Sequence, residues 1–293
     1  MRVLVTGASG QLGHDVMNEL IRRGHDAIGA DRSGEDKNGF KCVKLDITDK
    51  DRVVHVISEE KPEAIIHCAA WTNVDAAEDP ENYDEVMNIN VAGTENLVLA
   101  AKQIDAKMMY ISTDYVFDGR GEKPWKPEDE NFAPQNVYGK SKLMGEEIVE
   151  DMIRRFFIVR IAWVFGANGK NFVQTMLNLA KTHAELRVVD DQIGTPTYTV
   201  DLARLLVDMI ETDKYGVYHV TNEGGYISWA DFAEEIFRCA GVKTKVVRVT
   251  SDEYGEVKAK RPLNSRLDKI KLSRMGFSVL PTWQDALRRY LNE

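Results

Sequence analysis

The chain has 293 residues, 43% apolar and 29% charged, the ordinary balance of a globular protein and enough for one large α/β domain with a smaller partner. A net charge of −9 with no long Lys/Arg run excludes general nucleic-acid binding, although helix N-termini and single arginines can still hold a phosphate locally. No apolar window approaches the roughly eighteen residues of a membrane span, and the apolar run at the N-terminus is too short for a signal peptide, so a cytoplasmic protein is expected.

The first half alternates short apolar runs with longer segments of helical spacing. The runs are Arg2–Thr6, Asp26–Ala30, Cys42–Leu45, Ala64–Cys68, Met108–Ser112 and Phe157–Ile161. Each suits a strand buried on both faces of a parallel sheet. Helical spacing is read over Leu12–Arg23, Tyr83–Lys102 and Asn136–Arg154. The polar stretch from Asp31 to Phe40 is too short for a full helix and predicts a loop or a single turn. Cys42, Cys68 and Cys239 fit no paired pattern; Cys42 and Cys68, lying in apolar runs, are expected to be buried core thiols.

After Gly166 the rhythm changes. Helices are predicted over Asn171–Thr182, Val200–Ile210, Ser228–Ala240 (Ser228 as N-cap, Asp231 in the first turn) and Trp283–Leu291. Strands are predicted at Val217–Val220 and Lys245–Val249. The whole reads as a doubly wound, mostly parallel Rossmann-type α/β sheet. It would occupy residues 1–165, with 191–221 returning to it. A smaller C-terminal α/β substrate domain would comprise 166–190 and 222–293.

Gly7, Gly10 and Gly13 follow the first strand and open the first helix, with Gln11 and Leu12 between the last two. Glycines here permit the tight turn, close approach of a pyrophosphate and close packing of helix on strand, and the helix N-terminus favours the phosphates. Asp31, ending the second strand, would hold the adenine ribose diol of NADH, whereas Arg32 would suit the 2′-phosphate of NADPH; the two leave the coenzyme open. Asp46 and Ile47 end the third strand, where an adenine edge would lie, a helix cap ahead of Asp49 being the alternative for Asp46.

Tyr138 and Lys142 stand four residues apart at the start of a predicted helix and so share one face. A nearby ammonium favours phenolate, which lets the tyrosine exchange a proton near neutral pH. Thr113, at the end of the strand containing Ser112, can donate a hydrogen bond to a carbonyl oxygen. Together with the glycine loop, these three residues predict an oxidoreductase.

At this point the chain resembles the extended short-chain dehydrogenase/reductase superfamily, through Thr6-Gly7-x-x-Gly10-x-x-Gly13 and Tyr138-x-x-x-Lys142. Longer strings resemble one family within it, dTDP-4-dehydrorhamnose reductase. They include Cys68–Asp75, Ser112–Gly119, Asn136–Lys142, Trp163–Gly166, Asn171–Met176, Asp191–Thr197 and Lys260–Leu267. The resemblance implies reduction of the C4 ketone of a nucleotide-linked 6-deoxy sugar by NADPH or NADH, with Thr113, Tyr138 and Lys142 as the catalytic set. It places Ala69 and Ala70 beside the dinucleotide with the glycine loop, Asp31, Asp46 and Ile47. Thr72, Val74, Ser112, Tyr115, Tyr138 and Trp163 would surround the sugar, and Arg261 would lie by the nucleotide. Core packing is the alternative for Trp163, and a solvated surface charge for Arg261.

Trp71 departs from the family's more usual His. Some members bind magnesium at a dimer contact; Asp15 stands where one such acid would be, and neither metal nor dimer follows from it, although a homodimer is compatible. A nucleotide-sugar 4,6-dehydratase or epimerase on the same fold remains a competing reading, but Tyr115 follows Thr113-Asp114 where dehydratases place a glutamate. A non-catalytic dinucleotide-binding regulatory subunit, like that of methionine adenosyltransferase, is another.

Overall fold

The computed structural model describes residues 1–34 and 40–292. The predicted loop between the second and third strands falls largely on 35–39, outside them. The first half contains β1 (Arg2–Thr6), α1 (Gln11–Arg22), β2 (Asp26–Asp31), β3 (Cys42–Lys44), α2 (Lys50–Glu60) and β4 (Ala64–His67). There follow α3 (Tyr83–Met87), a π-helical segment (Asn88–Ala92), α4 (Gly93–Gln103), β5 (Lys107–Thr113), α5 (Val137–Met152) and β6 (Phe156–Ile161). The second half contains β7 (Val164–Phe165), α6 (Phe172–Ala180), β8 (Glu185–Val189), β9 (Ile193–Gly194), β10 (Thr197–Tyr198), α7 (Thr199–Ile210) and β11 (Gly216–His219). It ends with β12 (Ile227–Ser228), α8 (Trp229–Ala240), β13 (Lys245–Val249), α9 (Ser251–Tyr254), α10 (Ile270–Arg274) and α11 (Trp283–Tyr290).

Seven parallel strands form the main sheet in the order β11-β6-β5-β4-β1-β2-β3. Alternate residues of each strand face opposite layers. Val3 and Val5 join α1 and α7 on one face, where Leu12, Val16, Leu20, Leu202 and Leu206 pack. Leu4 points the other way, among Val53, Val56, Leu97, Val98 and Val149 of α2, α4 and α5. This double coverage is why the strands read as continuous apolar runs. The chain leaves β1 toward β2 on one side and β4 on the other, so a crevice opens at the carboxyl ends of β1 and β4.

The α2 helix had no counterpart among the predicted helices. Asp49 caps it by accepting from the Arg52 N–H at 3.0 Å. Its apolar side is the short set Val53, Val56 and Ile57, too sparse to stand out. The predicted single helix over 83–102 is interrupted by the π-helical turn at 88–92.

The second half builds a separate apolar cluster from α6, α8 and α11, including Phe165, Val173, Phe232, Ile236 and Trp283. Strands β8 and β13 pair in parallel beside it. Two pieces return to the main sheet: β11 extends its edge beside β6, and α7 packs on α1. Leu272, Phe277 and Leu280 also join that sheet layer, although the sequence reading assigned 222–293 to the smaller domain. Their side chains cover the apolar face beneath Tyr218 and Val220.

Ser228 and Asp231 form a reciprocal capping box at the start of α8, the Ser228 Oγ accepting from the Asp231 N–H at 3.1 Å and Asp231 from the Ser228 N–H at 2.9 Å. Ser228→Ala is expected to lower unfolding free energy by about 1 kcal/mol, read from the shift in urea midpoint at unchanged slope.

Candidate active site

A cleft of about 930 Å³ runs along the carboxyl ends of β1, β4, β5 and β6 and is closed on its far side by Trp229, Phe172 and Arg261. Every predicted site residue lies on its wall. At one end are Gly7, Gly10, Gln11, Leu12, Gly13, Asp31, Arg32, Asp46 and Ile47; the middle and far end hold Ala69, Ala70, Thr72, Val74, Ser112, Thr113, Tyr115, Tyr138, Lys142, Trp163 and Arg261.

The glycine end is built by backbone contact. Gly7 sits at φ +67, and a Cβ there would stand 2.7 Å from the Ala69 nitrogen. A Cβ on Gly13 would overlap the Gly7 carbonyl oxygen. The turn is tied by the Gly7 N–H to the Ala30 carbonyl and by the Gly10 N–H to the Gly7 carbonyl, both at 2.9 Å. Gly10 caps α1 with no side chain, which leaves the first helical N–H groups facing the cleft. The Ser9 Oγ is buried at this loop with no hydrogen-bond partner. Asp31 accepts from the Ser9 N–H at 3.2 Å, and exposed Arg32 follows it on the rim. This cradle fits a dinucleotide pyrophosphate and an adjoining ribose. Asp46 is not the cap of α2, which is Asp49; it holds its own turn by accepting from the Thr48 N–H at 3.0 Å and Oγ1 at 2.8 Å.

Cys68 packs against the core layer, as read from sequence, but is not fully buried. It follows the last residue of β4, is only half-buried, and lines the cleft, where burial pushes its thiol up to about 12. Cys42 is buried.

At the centre, Asn136 caps α5 by accepting from the Gly139 N–H at 2.7 Å. That cap sets Tyr138 in the first turn and Lys142 one turn further, both turned to the cleft. Gly139 lets α5 approach the loop after β5, since a Cβ there would overlap the Tyr115 carbonyl. Tyr115 meets Tyr138 edge to face at 5.8 Å. Thr113, buried at the end of β5, donates from Oγ1 to Asp114 Oδ1 at 3.1 Å.

The electrostatics differ from the sequence expectation. Burial raises Tyr138 above the ordinary phenol value, Asp114 adds to the rise, and Thr113 opposes it. Lys142 is not among the groups that shift it; the ammonium lies 3.9 Å from the Tyr110 ring centroid instead. Burial lowers Lys142 to about 7, against the pull of Glu146 and Cys68. Burial likewise pushes Asp114 up to about 7, with Ser265 and Thr113 opposing.

Trp163 adopts φ +51, a conformation rare for a bulky residue, and stacks on Trp229 at 3.7 Å. It lines the cleft and, partly buried, also packs against the small apolar cluster of Val116, Phe117, Ala162 and Leu267. Arg261 is neither free nor fully solvated. Its Nη2 meets Asp75 at 2.6 Å across the cleft mouth.

Sequence reasoning missed Trp229, Phe172 and Asn90 as parts of the site. Trp229 and Phe172 line the cleft from the second half, and no spacing rule connects them to it. Asn90, in the π-helical turn, donates to the Trp71 carbonyl and Ser141 Oγ and accepts from the Trp71 N–H at 2.7 Å, pinning the strand-end loop to α5. Trp71 itself bonds the Asn73 carbonyl at 2.9 Å.

The RmlD substrate binding domain family model matches residues 1–293. A spore coat polysaccharide biosynthesis protein SpsK of Bacillus subtilis is 39% identical over 100% of this chain and 97% of its own length. A dTDP-4-dehydrorhamnose reductase of Aggregatibacter actinomycetemcomitans is 40% identical over 98% of this chain and 97% of its own. Among solved structures, a dTDP-4-dehydrorhamnose reductase from Clostridium acetobutylicum superimposes with TM-score 0.92 at 42% identity, covering 100% of this chain and 99% of that one. One from Bacillus anthracis, in complex with NADP, gives 0.91 at 40% identity over 99% and 98%. With a matching family model over its whole length and full-length relatives near 40% identity, the chain belongs to the dTDP-4-dehydrorhamnose reductase family.

Proposed function

We propose that this chain reduces the C4 ketone of a nucleotide-linked 6-deoxyhexose, with NADPH or NADH as reductant, as a dTDP-4-dehydrorhamnose reductase of dTDP-L-rhamnose synthesis. The observation that carries the reading is one continuous cleft with a glycine cradle at one end and Thr113, Tyr138 and Lys142 at its middle. The family's full-length relatives, one of them solved with NADP, support the coenzyme and the substrate class. The reading keeps the chain in the cytoplasm. Residues 1–165 and 191–221 form the dinucleotide-binding part, and 166–190 and 222–293 the substrate part, apart from the 272–280 stretch that packs on the sheet.

In this reading the glycine loop and Asp31 orient the dinucleotide, with Arg32 beside the adenosine ribose. When bound, the nicotinamide supplies the hydride to the ketone carbon. Tyr138 donates the proton to the developing alkoxide oxygen. Burial serves that role, because a phenol raised above its ordinary value stays protonated through the neutral range. Thr113 turns its one hydroxyl proton from Asp114 Oδ1 to the same oxygen, and Lys142, its ammonium over the Tyr110 ring, holds a positive charge toward the ribose hydroxyls. Trp163 and Tyr115 bound the sugar. Arg261 meets the diphosphate, exchanging part of its contact with Asp75 for a bidentate phosphate pair.

The deciding experiment offers dTDP-4-keto-6-deoxy-L-mannose with each coenzyme and follows nicotinamide absorbance. Oxidation is expected, and its absence with both coenzymes sinks the reading. Turnover independent of added coenzyme, with NAD retained through purification, would instead favour an epimerase or dehydratase. Tyr138→Phe is expected to lose about 10²- to 10⁴-fold in kcat with dinucleotide affinity kept. Because the Lys142 ammonium is lost as pH rises through about 7, turnover should decline across that point, and should still do so in Asp114→Asn. Arg32→Ala should raise KM for NADPH roughly tenfold and leave NADH nearly unchanged if the arginine meets the 2′-phosphate.

A further inference from the structure

Beneath the cleft lies a charge pair that the proposed mechanism does not use. Arg160 of β6 and Glu146 of α5 meet at 2.6 Å with side chains only 3% and 4% exposed. Among the ion pairs of the described residues, no other has both partners so deeply covered. Such a pair is often no more stabilising than well-packed apolar residues, because both charges lose their hydration. Its position offers a different reason for it. Glu146 lies one turn beyond Lys142 on the same face of α5. Its Oε1 accepts a short hydrogen bond from the Ser112 hydroxyl, and Ser112 lines the cleft next to Thr113.

Arg160 completes the arrangement from behind. Its Nε reaches both Glu146 oxygens, at 3.0 and 3.1 Å. Its guanidinium lies 5.1 Å from the Phe117 ring centroid and 4.9 Å from that of Phe132. One terminal nitrogen donates to the Pro127 carbonyl at 3.4 Å and to His219 Nε2 at 3.4 Å, while His219 Nδ1 donates to the Trp125 carbonyl at 3.0 Å. The carboxylate therefore has a fixed direction, both oxygens held by Arg160 and Oε1 shared with Ser112 beside the cleft.

We propose that Glu146, held by Arg160, is a positioning residue for the reductase reaction: its buried carboxylate keeps Lys142 charged and anchors, through Ser112, the strand end that presents Thr113. This rests on the reading of Tyr138 and Lys142 given above. The groups that bear on Lys142 are Glu146 one turn along α5, Tyr110 on β5, and His67 and Cys68 at the end of β4, with Arg160 on β6 behind Glu146. Burial lowers His67 to about 3 and pushes Cys68 up to about 12, so both are neutral near neutral pH. Tyr110 is likewise held protonated by burial. Glu146 is the one carboxylate acting on Lys142, and it opposes the burial that drives the amine neutral.

The test is Glu146→Gln, which keeps an acceptor for Ser112 and removes the charge. Lys142 is titrated by NMR in protein carrying carbon-13 lysine, its signal identified by its loss in Lys142→Arg. The midpoint is expected to fall by about one pH unit, and the kcat–pH profile of keto-sugar reduction to move acidward by the same amount. Glu146→Asp, which keeps the charge, should restore most of both. A Lys142 midpoint equal to wild type, whatever the loss in Tm, overturns the proposal and leaves the pair a packing feature. If Glu146→Gln does not fold, the Glu146→Gln/Arg160→Met double variant, which leaves no orphan charge, carries the same comparison with the same two outcomes. The NMR midpoint needs no substrate. A shifted midpoint in a protein whose wild type oxidises neither coenzyme would count against the reductase reading and for the charge relation.

Discussion

The molecule is organised around a backbone contact that admits no side chain. Gly7, in a left-handed turn at φ +67, lies against the first residues after β4, and Gly13 brings α1 against the Gly7 carbonyl. Because the helix cannot stand off, its N-terminal amides open into the crevice between β1 and β4. Because β4 ends against that same turn, Cys68, Ala69 and Ala70 form the cleft floor between the glycine cradle and the reactive centre. Remove the close approach and the two halves of the site lose their common frame.

Burial governs the chemistry within that frame. It raises Tyr138, lowers Lys142 to about 7 and pushes Asp114 up to about 7, so three groups within a few side chains of one another carry altered charge preferences. A phenol that resists ionisation suits proton donation in a reduction. An amine near its midpoint needs a nearby anion to stay charged. The proposal gives that part to the Glu146 carboxylate, paired with Arg160, one helical turn from Lys142 and hydrogen-bonded to the strand that ends in Thr113.

The far wall depends on the second half of the chain. Trp163 leaves β6 in a strained conformation, and its ring is held by Trp229 at the start of α8. Gly194 allows it, since a Cβ there would meet the Trp163 ring at 2.8 Å. The Ser228–Asp231 box fixes where α8 begins and therefore where Trp229 stands. The Arg261–Asp75 pair ties a late loop of the chain to the loop after β4 across the cleft mouth.

Much of this was legible in order along the chain. The parallel strands announce themselves because burial on both faces makes them continuous apolar runs, and the glycine loop, the α5 cap and the α8 box are local patterns read within a few residues. Most of the twenty candidate site residues share one cleft because the strand ends of a parallel sheet, and the helix starts and loops that follow them, face the same edge. Helix α2 escaped because its apolar side holds three residues. The π-helical turn escaped because it spans only one turn inside a longer helical pattern, yet it aims Asn90 at the loop after β4. Sequence by itself determined the sheet, the glycine turn ahead of α1 and the Tyr138–Lys142 spacing, all consequences of short-range geometry. Only the tertiary structure decided which titratable groups are desolvated, the place of Cys68 on the cleft wall, the Trp163–Trp229 wall and the pairing of Glu146 with Arg160. Desolvation and contact between distant segments depend on how the layers close, which no local pattern encodes.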